Sequence, residues 1–228
     1  MRAPIASAKA AVSSLRSPDI QWSQNDQQEL LATADAALDR LTGLVTNLLD
    51  LSRLQAGTLS VIAYPIGVDE VVSRALDYTA DGRKVDLDVP TTLPEVLADP
   101  GLLERALANL IDNALRYTPP EQPIRLAASA HADTVEVRVI DRGPGIPPAD
   151  RDAVFAPFQR RDDYGTSTGA GVGLGLAIAR GFLQAMHGTL TLDDTPGGGL
   201  TAVVALPKAE DDETTTNGNT PPAGQVSP

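Results

Sequence analysis

The sequence predicts an α/β domain preceded by an antiparallel helical hairpin. Three observations predict it. A leucine-rich helical stripe runs unbroken over 27–56, and beyond residue 58 short period-two segments alternate with helical ones. A run of glycines (Gly169, Gly171, Gly173 and Gly175) then leads straight into a helix of small residues.

Each element has its own signal. Ala6, Ala8, Ala10, Ala11, Val12 and Leu15 make 4–15 a shorter first helix, and Pro18 with the polar run to Asp26 makes the turn. Leu31, Ala34, Leu38, Leu41, Val45 and Leu48 recur in steps of three and four, which keeps one apolar seam toward a partner helix. Leu30, Leu44, Leu49, Leu51 and Leu54 widen that stripe beyond the need of a two-stranded coil. A four-helix bundle is expected, built from two chains because one hairpin buries too little alone. Gly57 is the expected helix stop.

Leu59, Val61 and Ala63 then alternate as a strand, 68–78 has helical spacing, and Val85, Leu87 and Val89 alternate again. Residues 100–117 read as a strong helix with Asp99 as its N-cap. Ile124, Leu126 and Ala128, followed by Val135, Val137 and Val139, predict neighbouring strands with one buried face each. A helix over 171–186 and strands over 188–193 and 200–206 close the domain. The tail from 208 to 228 has no apolar periodicity and is expected to be disordered. Three regions result: 1–57, 58–207 and 208–228.

Composition bounds the function. A net charge of −12 over 228 residues argues against non-specific nucleic-acid or anionic-membrane binding, both of which need a cationic surface. With no cysteine, neither a disulfide scaffold nor a thiolate metal site is possible. No apolar stretch approaches the roughly 20 residues of a membrane helix, and 1–4 lacks the apolar core of a signal peptide. The chain as written is expected to be soluble and cytoplasmic.

Three motifs carry chemistry. Asn109 and Asn113 stand four apart on an apolar helix, hence on one face. Their carbonyl oxygens suit Mg²⁺, which keeps its waters and binds mainly through nucleotide phosphates. Arg116 lies one turn on, within reach of phosphate oxygens, and Tyr117 can lie against a base. Alone, two helical asparagines are usually just solvated; here Leu107, Leu110, Ile111, Ala114 and Leu115 bury much of the helix around them. Asp141 ends a strand and can accept the exocyclic amine of adenine, with Gly143 and Gly145 letting backbone approach the ring. By itself that stretch reads more readily as a plain Asp-Gly-Pro turn.

Gly169, Gly171, Gly173 and Gly175 offer amides at a helix N-terminus to phosphate oxygens. Their spacing matches neither a P-loop nor a dinucleotide fingerprint. The polar, charged stretch 158–168 suits a mobile lid over the nucleotide.

In this order the motifs resemble those of the sensor histidine kinases over essentially residues 1–207. Residues 109–117 resemble the N-box, 141–145 the first glycine box, 155–158 the phenylalanine box, 169–175 the second glycine box, and 197–199 with Thr201 the terminal glycine motif. The resemblance implies a Bergerat-type α/β sandwich over 58–207 that binds ATP and Mg²⁺. It adds Ile146, Phe158, Leu174, Leu176 and Thr201 to the expected ATP contacts, and makes Asn109 and Asn113 the expected metal ligands. It makes 1–57 a dimerisation and histidine-phosphotransfer hairpin, forming a homodimer and serving a response-regulator receiver domain.

Residues 8–16, 47–57, 158–160 and 195–200 look most like actinobacterial potassium sensors of the KdpD type, which implies a KdpE-like regulator and full-length homologues anchored in the inner membrane. The family's acceptor histidine would fall just before Met1, and Ala3 stands where the family usually has the threonine associated with phosphatase activity. His131 and His187 lie outside the hairpin and are not expected to be acceptors.

Two other functions share parts of this pattern. A hydrolytic ATPase of the gyrase and Hsp90 group needs a glutamate base where Asn109 stands, and an amide cannot take that proton. A non-catalytic, dimer-forming nucleotide binder shares every pocket residue.

Overall fold

The computed structural model describes residues 2–17, 20–79, 83–159 and 173–209. Two helices make a stem. α1 (Arg2–Leu15) packs antiparallel against the 32-residue α2 (Gln24–Gln55), with Ala11, Ala34 and Ala37 buried between them. α2 begins three residues ahead of the expected position because Ser23 and Asp26 form a reciprocal capping box. Trp22 packs in the turn and donates its indole N–H to the Ser14 carbonyl at 2.9 Å. At the other end Gly57 (φ 63°) stops the helix as expected: its N–H reaches the Leu54 carbonyl and the Thr58 N–H reaches that of Arg53.

The remainder is a two-layer α/β unit. One layer is a five-stranded sheet in the order β2 (Val85–Asp88), β4 (Ile124–Ala130), β5 (Thr134–Ile140), β7 (Leu200–Pro207), β6 (Thr189–Asp194). β2 runs parallel to β4 and the other pairs are antiparallel. The second layer is α3 (Val68–Thr79), α4 (Pro100–Tyr117) and α5 (Gly175–Ala185). Strand alternation sends Leu126, Val137, Leu192 and Val204 into the helices, where they meet Leu103, Leu107, Ile111, Ile178 and Phe182. α4 starts where predicted, with the Asp99 carboxylate accepting the Leu102 N–H at 3.1 Å.

Four expectations are corrected. Residues 59–63 are not a strand. Leu59 and Val61 pack on the core, but among the described residues no neighbouring backbone pairs with them, and the Ile62 N–H goes to the Asp99 carboxylate. The ladder starts at β1 (Tyr64–Ile66), whose antiparallel partner β3 (Val96–Ala98) was not foreseen because three residues carry almost no periodicity. α5 is described from Gly175 rather than 171, and residues 169–172 lie outside the described residues. The fold also runs past 207: the Lys208 N–H bonds the Asp133 carbonyl and the Ala209 N–H that of Glu95. Residues 210–228, the rest of the expected disordered tail, lie outside the described residues.

Candidate functional site

The site lies where the middle of α4, the loop after β5 and the first turn of α5 converge. Apolar spacing on α4 buries Leu107, Leu110, Ile111 and Ala114, which leaves Asn109 and Asn113 half-buried along its margin. Both amides face Gly175. A Cβ on Gly175 would sit 3.4 Å from Asn109 Oδ1 and 3.7 Å from Asn113 Nδ2, ordinary van der Waals contact, so the start of α5 packs directly against the two amides. Leu174 caps α5 with no side-chain hydrogen bond and its first turn carries no acidic residue. Among the described residues nothing caps the first-turn amides, and the positive end of the helix dipole lies beside the two asparagines, a combination suited to phosphate.

Asp141 is 7% exposed. Its Oδ1 accepts the N–H of Gly143 and the N–H of Leu200, each at 2.8 Å. Burial pushes its carboxyl above the usual aspartate range, against the opposing pull of the Leu200 and Gly143 amides. With Oδ1 occupied by backbone, Oδ2 remains the acceptor available to a donor such as an exocyclic amine.

Gly143 lies against the end of α4: a Cβ there would stand 2.8 Å from the Tyr117 carbonyl. Gly145 has φ 69° and faces the Gly199 carbonyl. Tyr117 is 56% exposed beside this loop, and Arg116 is ion-paired to Asp112 at 2.8 Å.

Phe158 is 58% exposed in the left-handed region (φ 65°), held by its N–H to the Gly173 carbonyl at 3.0 Å. Phe155 is buried with the Arg180 guanidinium 4.4 Å above its ring, which fixes the 153–158 segment to α5. Leu174 and Leu176 are packing residues, one buried and the other half-buried on the core, and they contribute to the site through backbone. Gly169 and Gly171, and residues 160–168 of the expected lid, lie outside the described residues.

Thr201 does not join the site. Period-two alternation on β7 turns Ala202, Val204 and Leu206 toward the helices, so Thr201 faces the opposite side of the sheet, where its hydroxyl bonds that of Thr195 at 2.9 Å. Leu200 is the residue beside Asp141, and sequence reading missed it. Reading β7 as alternating inward at 202, 204 and 206 would have excluded Thr201. Thr118 was missed as well. It is 3% exposed, and its hydroxyl accepts the Arg142 N–H at 3.2 Å, joining the end of α4 to the loop.

The donor set can be tested against a metal. Among the described residues no group of three or more His, Asp or Glu could hold an ion. Two neutral amides next to a helix N-terminus fit Mg²⁺ that arrives with a triphosphate and keeps its waters, rather than an ion held by protein alone. No helix among the described residues is long and apolar enough to cross a membrane.

Comparison with known proteins agrees with this geometry. The family "Histidine kinase-, DNA gyrase B-, and HSP90-like ATPase" matches residues 98–210, and the "His Kinase A (phospho-acceptor) domain" matches residues 1–57. Sensor protein KdpD of Mycobacterium tuberculosis is 47% identical over 220 residues, which is 92% of this chain and 25% of that protein. KdpD of Escherichia coli is 36% identical over 169 residues, 73% of this chain and 19% of that protein. Among solved structures, full-length ShkA in complex with AMPPNP matches with a TM-score of 0.67 at 25% identity, over 91% of this chain and 46% of that one. The chain thus spans about a quarter of the mycobacterial relative.

Proposed function

This chain belongs to the sensor histidine kinases, as a kinase region of the KdpD type, and we propose that it binds Mg²⁺-ATP where α4, the loop after Asp141 and α5 meet and passes the γ-phosphate to a histidine on a stem helix. From there the phosphate goes to an aspartate of a response-regulator receiver domain, of the KdpE kind. The observation that carries this reading is the meeting of Asn109 and Asn113 with the uncapped N-terminus of α5, beside a buried Asp141 whose second oxygen is available.

Each group has a task in that reading. Asp141 accepts the adenine amine and so selects the base. The amides of α5 receive phosphate oxygens, with Arg116 one turn beyond Asn113. Asn109 and Asn113 are the residues that would hold Mg²⁺, which when bound neutralises phosphate charge and orients the γ-phosphoryl group for in-line transfer. Asn109 also argues against water activation, because an amide cannot act as a general base. The stem pairs with a second copy through its exposed leucines, forming a four-helix bundle that brings an acceptor helix near the site.

The test uses the two histidines, His131 and His187, both of which lie on the α/β unit. Incubated alone with γ-labelled ATP, the chain should acquire no acid-labile, base-stable phosphate. Mixed with a related subunit that carries a stem histidine but a dead nucleotide site, it should label that subunit. Titration calorimetry showing no Mg²⁺-ATP binding would overturn the reading. A mixed dimer that binds ATP yet yields no phosphohistidine would replace it with the non-catalytic binder.

A further inference from the structure

Arg151 takes no part in the nucleotide contacts described above, yet it is built into the structure more tightly than a surface arginine needs to be. Its side chain is 19% exposed. Nε donates to the Ile146 carbonyl at 3.1 Å, one terminal nitrogen donates to the Leu192 carbonyl at 3.0 Å, and the other pairs with the Asp194 carboxylate. The first partner is in the loop after Asp141, and the other two are on β6.

That loop needs holding. Residues 143–147 lie in neither helix nor strand, so no ladder fixes them. Pro147 and Pro148 stiffen the return, a single 3₁₀ turn (Pro148–Asp150) follows, and Arg151 caps that turn. The guanidinium thus reaches back five residues and ties Ile146 to the outer strand of the sheet. β6 is an edge strand, and the Leu192 carbonyl that Arg151 takes is directed away from β7. A rigid planar fork can serve a loop carbonyl, an edge carbonyl and a carboxylate at once, whereas an ammonium offers one point charge.

We propose that Arg151 is a positioning residue for nucleotide binding: it holds the 143–147 loop at the height above Asp141 at which the adenine ring fits between them. Arg142 braces the same loop from its other end, through its N–H to Thr118 and its guanidinium to the Pro196 carbonyl at 2.7 Å. The role rests on the ATP-binding reading, and its failure is separable from the failure of that reading.

The experiment compares the whole chain with Arg151→Met and Arg151→Lys by calorimetry with Mg²⁺-ATP and by amide hydrogen exchange, well below each melting temperature. Arg151→Met should bind ATP about tenfold more weakly, the loss expected for charge-assisted hydrogen bonds that order a binding loop. Its exchange should quicken over 143–147 while β5 and β7 stay protected. Arg151→Lys keeps the charge toward Asp194 but not the fork, and should fall in between; it also carries the test if the Met variant does not fold. ATP affinity within twofold of wild type in both variants would overturn the proposal. So would a loss of affinity accompanied by fast exchange throughout β6 and β7, because that is general loosening of the sheet. Wild-type protein that binds no ATP would sink the nucleotide reading itself, and the positioning role with it.

Discussion

Leu103, Leu107, Ile111 and Phe182 are completely buried in the α/β unit, whereas the stem buries Ala11, Ala34 and Ala37 between its helices and leaves a row of large side chains exposed. Leu31, Leu38, Val45, Leu48 and Leu49 are 42–57% exposed along α2, and Ile5 and Val12 along α1. Small residues inside allow the two stem helices to approach closely, while the branched ones form a stripe that none of the described residues covers. The α/β unit therefore closes its core within one chain, with only the end of α2 added to its own elements, whereas the stripe on the stem needs a second hairpin. The two regions also meet: Leu51 and Leu54 of α2 belong to the core of the α/β unit, and Asp50, 2% exposed, is ion-paired to Arg105 of α4. Arg105 in turn lies 5.2 Å over the Phe182 ring.

The sharpest way to break this contrast is to charge the stripe. Leu38→Glu together with Val45→Glu should weaken self-association roughly a hundredfold or more, because each would place unpaired carboxylates in an apolar seam. Sedimentation should then show monomers whose α/β unit melts as before. A wild-type chain that stays monomeric at every concentration would refute the bundle.

Breaking the join comes next. Asp50→Ala leaves Arg105 without its buried partner and should cost about 2–3 kcal/mol, below the full cost of a buried pair since the arginine side chain is 37% exposed. Denaturant unfolding of Asp50→Ala, compared with the paired replacement Asp50→Leu and Arg105→Leu, checks this. The double variant should recover most of the loss, and if it does not, the pair is not the cause.

Asp141→Asn separates function from stability within the α/β unit. Asn Oδ1 can still accept both amides, so the fold should persist, but an amide nitrogen replaces the oxygen meant for adenine. ATP affinity should fall by about 1.5–3 kcal/mol, the value of a hydrogen bond to a charged group. Stability should change in the other direction. With its pKa raised in the fold, Asp141 binds more proton folded than unfolded between the ordinary and the raised values. Its contribution is thus full at acid pH and is lost as pH rises through that window. The Asn variant should lack this decline, so near neutrality it should be no less stable than wild type. A calorimetric titration with unchanged affinity would remove Asp141 from the base site.

The smallest effect concerns the end of α5. His187 takes the left-handed position (φ 60°) of a Schellman-type cap, with its N–H to Gln184 and that of Gly188 to Leu183. His187→Gly should stabilise by about 0.5–1 kcal/mol, since a side chain is strained there, and should leave ATP binding unaltered. A fall in melting temperature would contradict it.

Legibility in the sequence followed the same division. α4 was readable to the residue because Asp99, Pro100 and a full apolar face agree, and β4, β5 and β7 because their alternation is long. β1 and β3 were not, since three-residue strands have no period to detect and are set by tertiary packing. Asn109, Asn113 and Asp141, the residues of the proposed site, stand out in the sequence because they interrupt or end apolar elements. Thr201 was misassigned because a motif fixes position along the chain and not the face of a strand. Arg151 and Thr118 stayed invisible: their partners are backbone carbonyls or amides, or groups distant in sequence, and only the folded chain brings them together. The Asp50–Arg105 pair, 55 positions apart, is of the same kind.

The embedding of the last turns of α2 has a mechanical consequence. A helix of 32 residues is about 48 Å long, and only its final two turns are clamped in the core beside Gly181, where a Cβ would collide with Leu54. The stem is then a lever with its fulcrum beside the α4 helix. A tilt of about 5° at the clamp moves the far end by about 4 Å, so a small rotation where α2 meets α4 becomes a displacement of several ångströms at the other end of the stem.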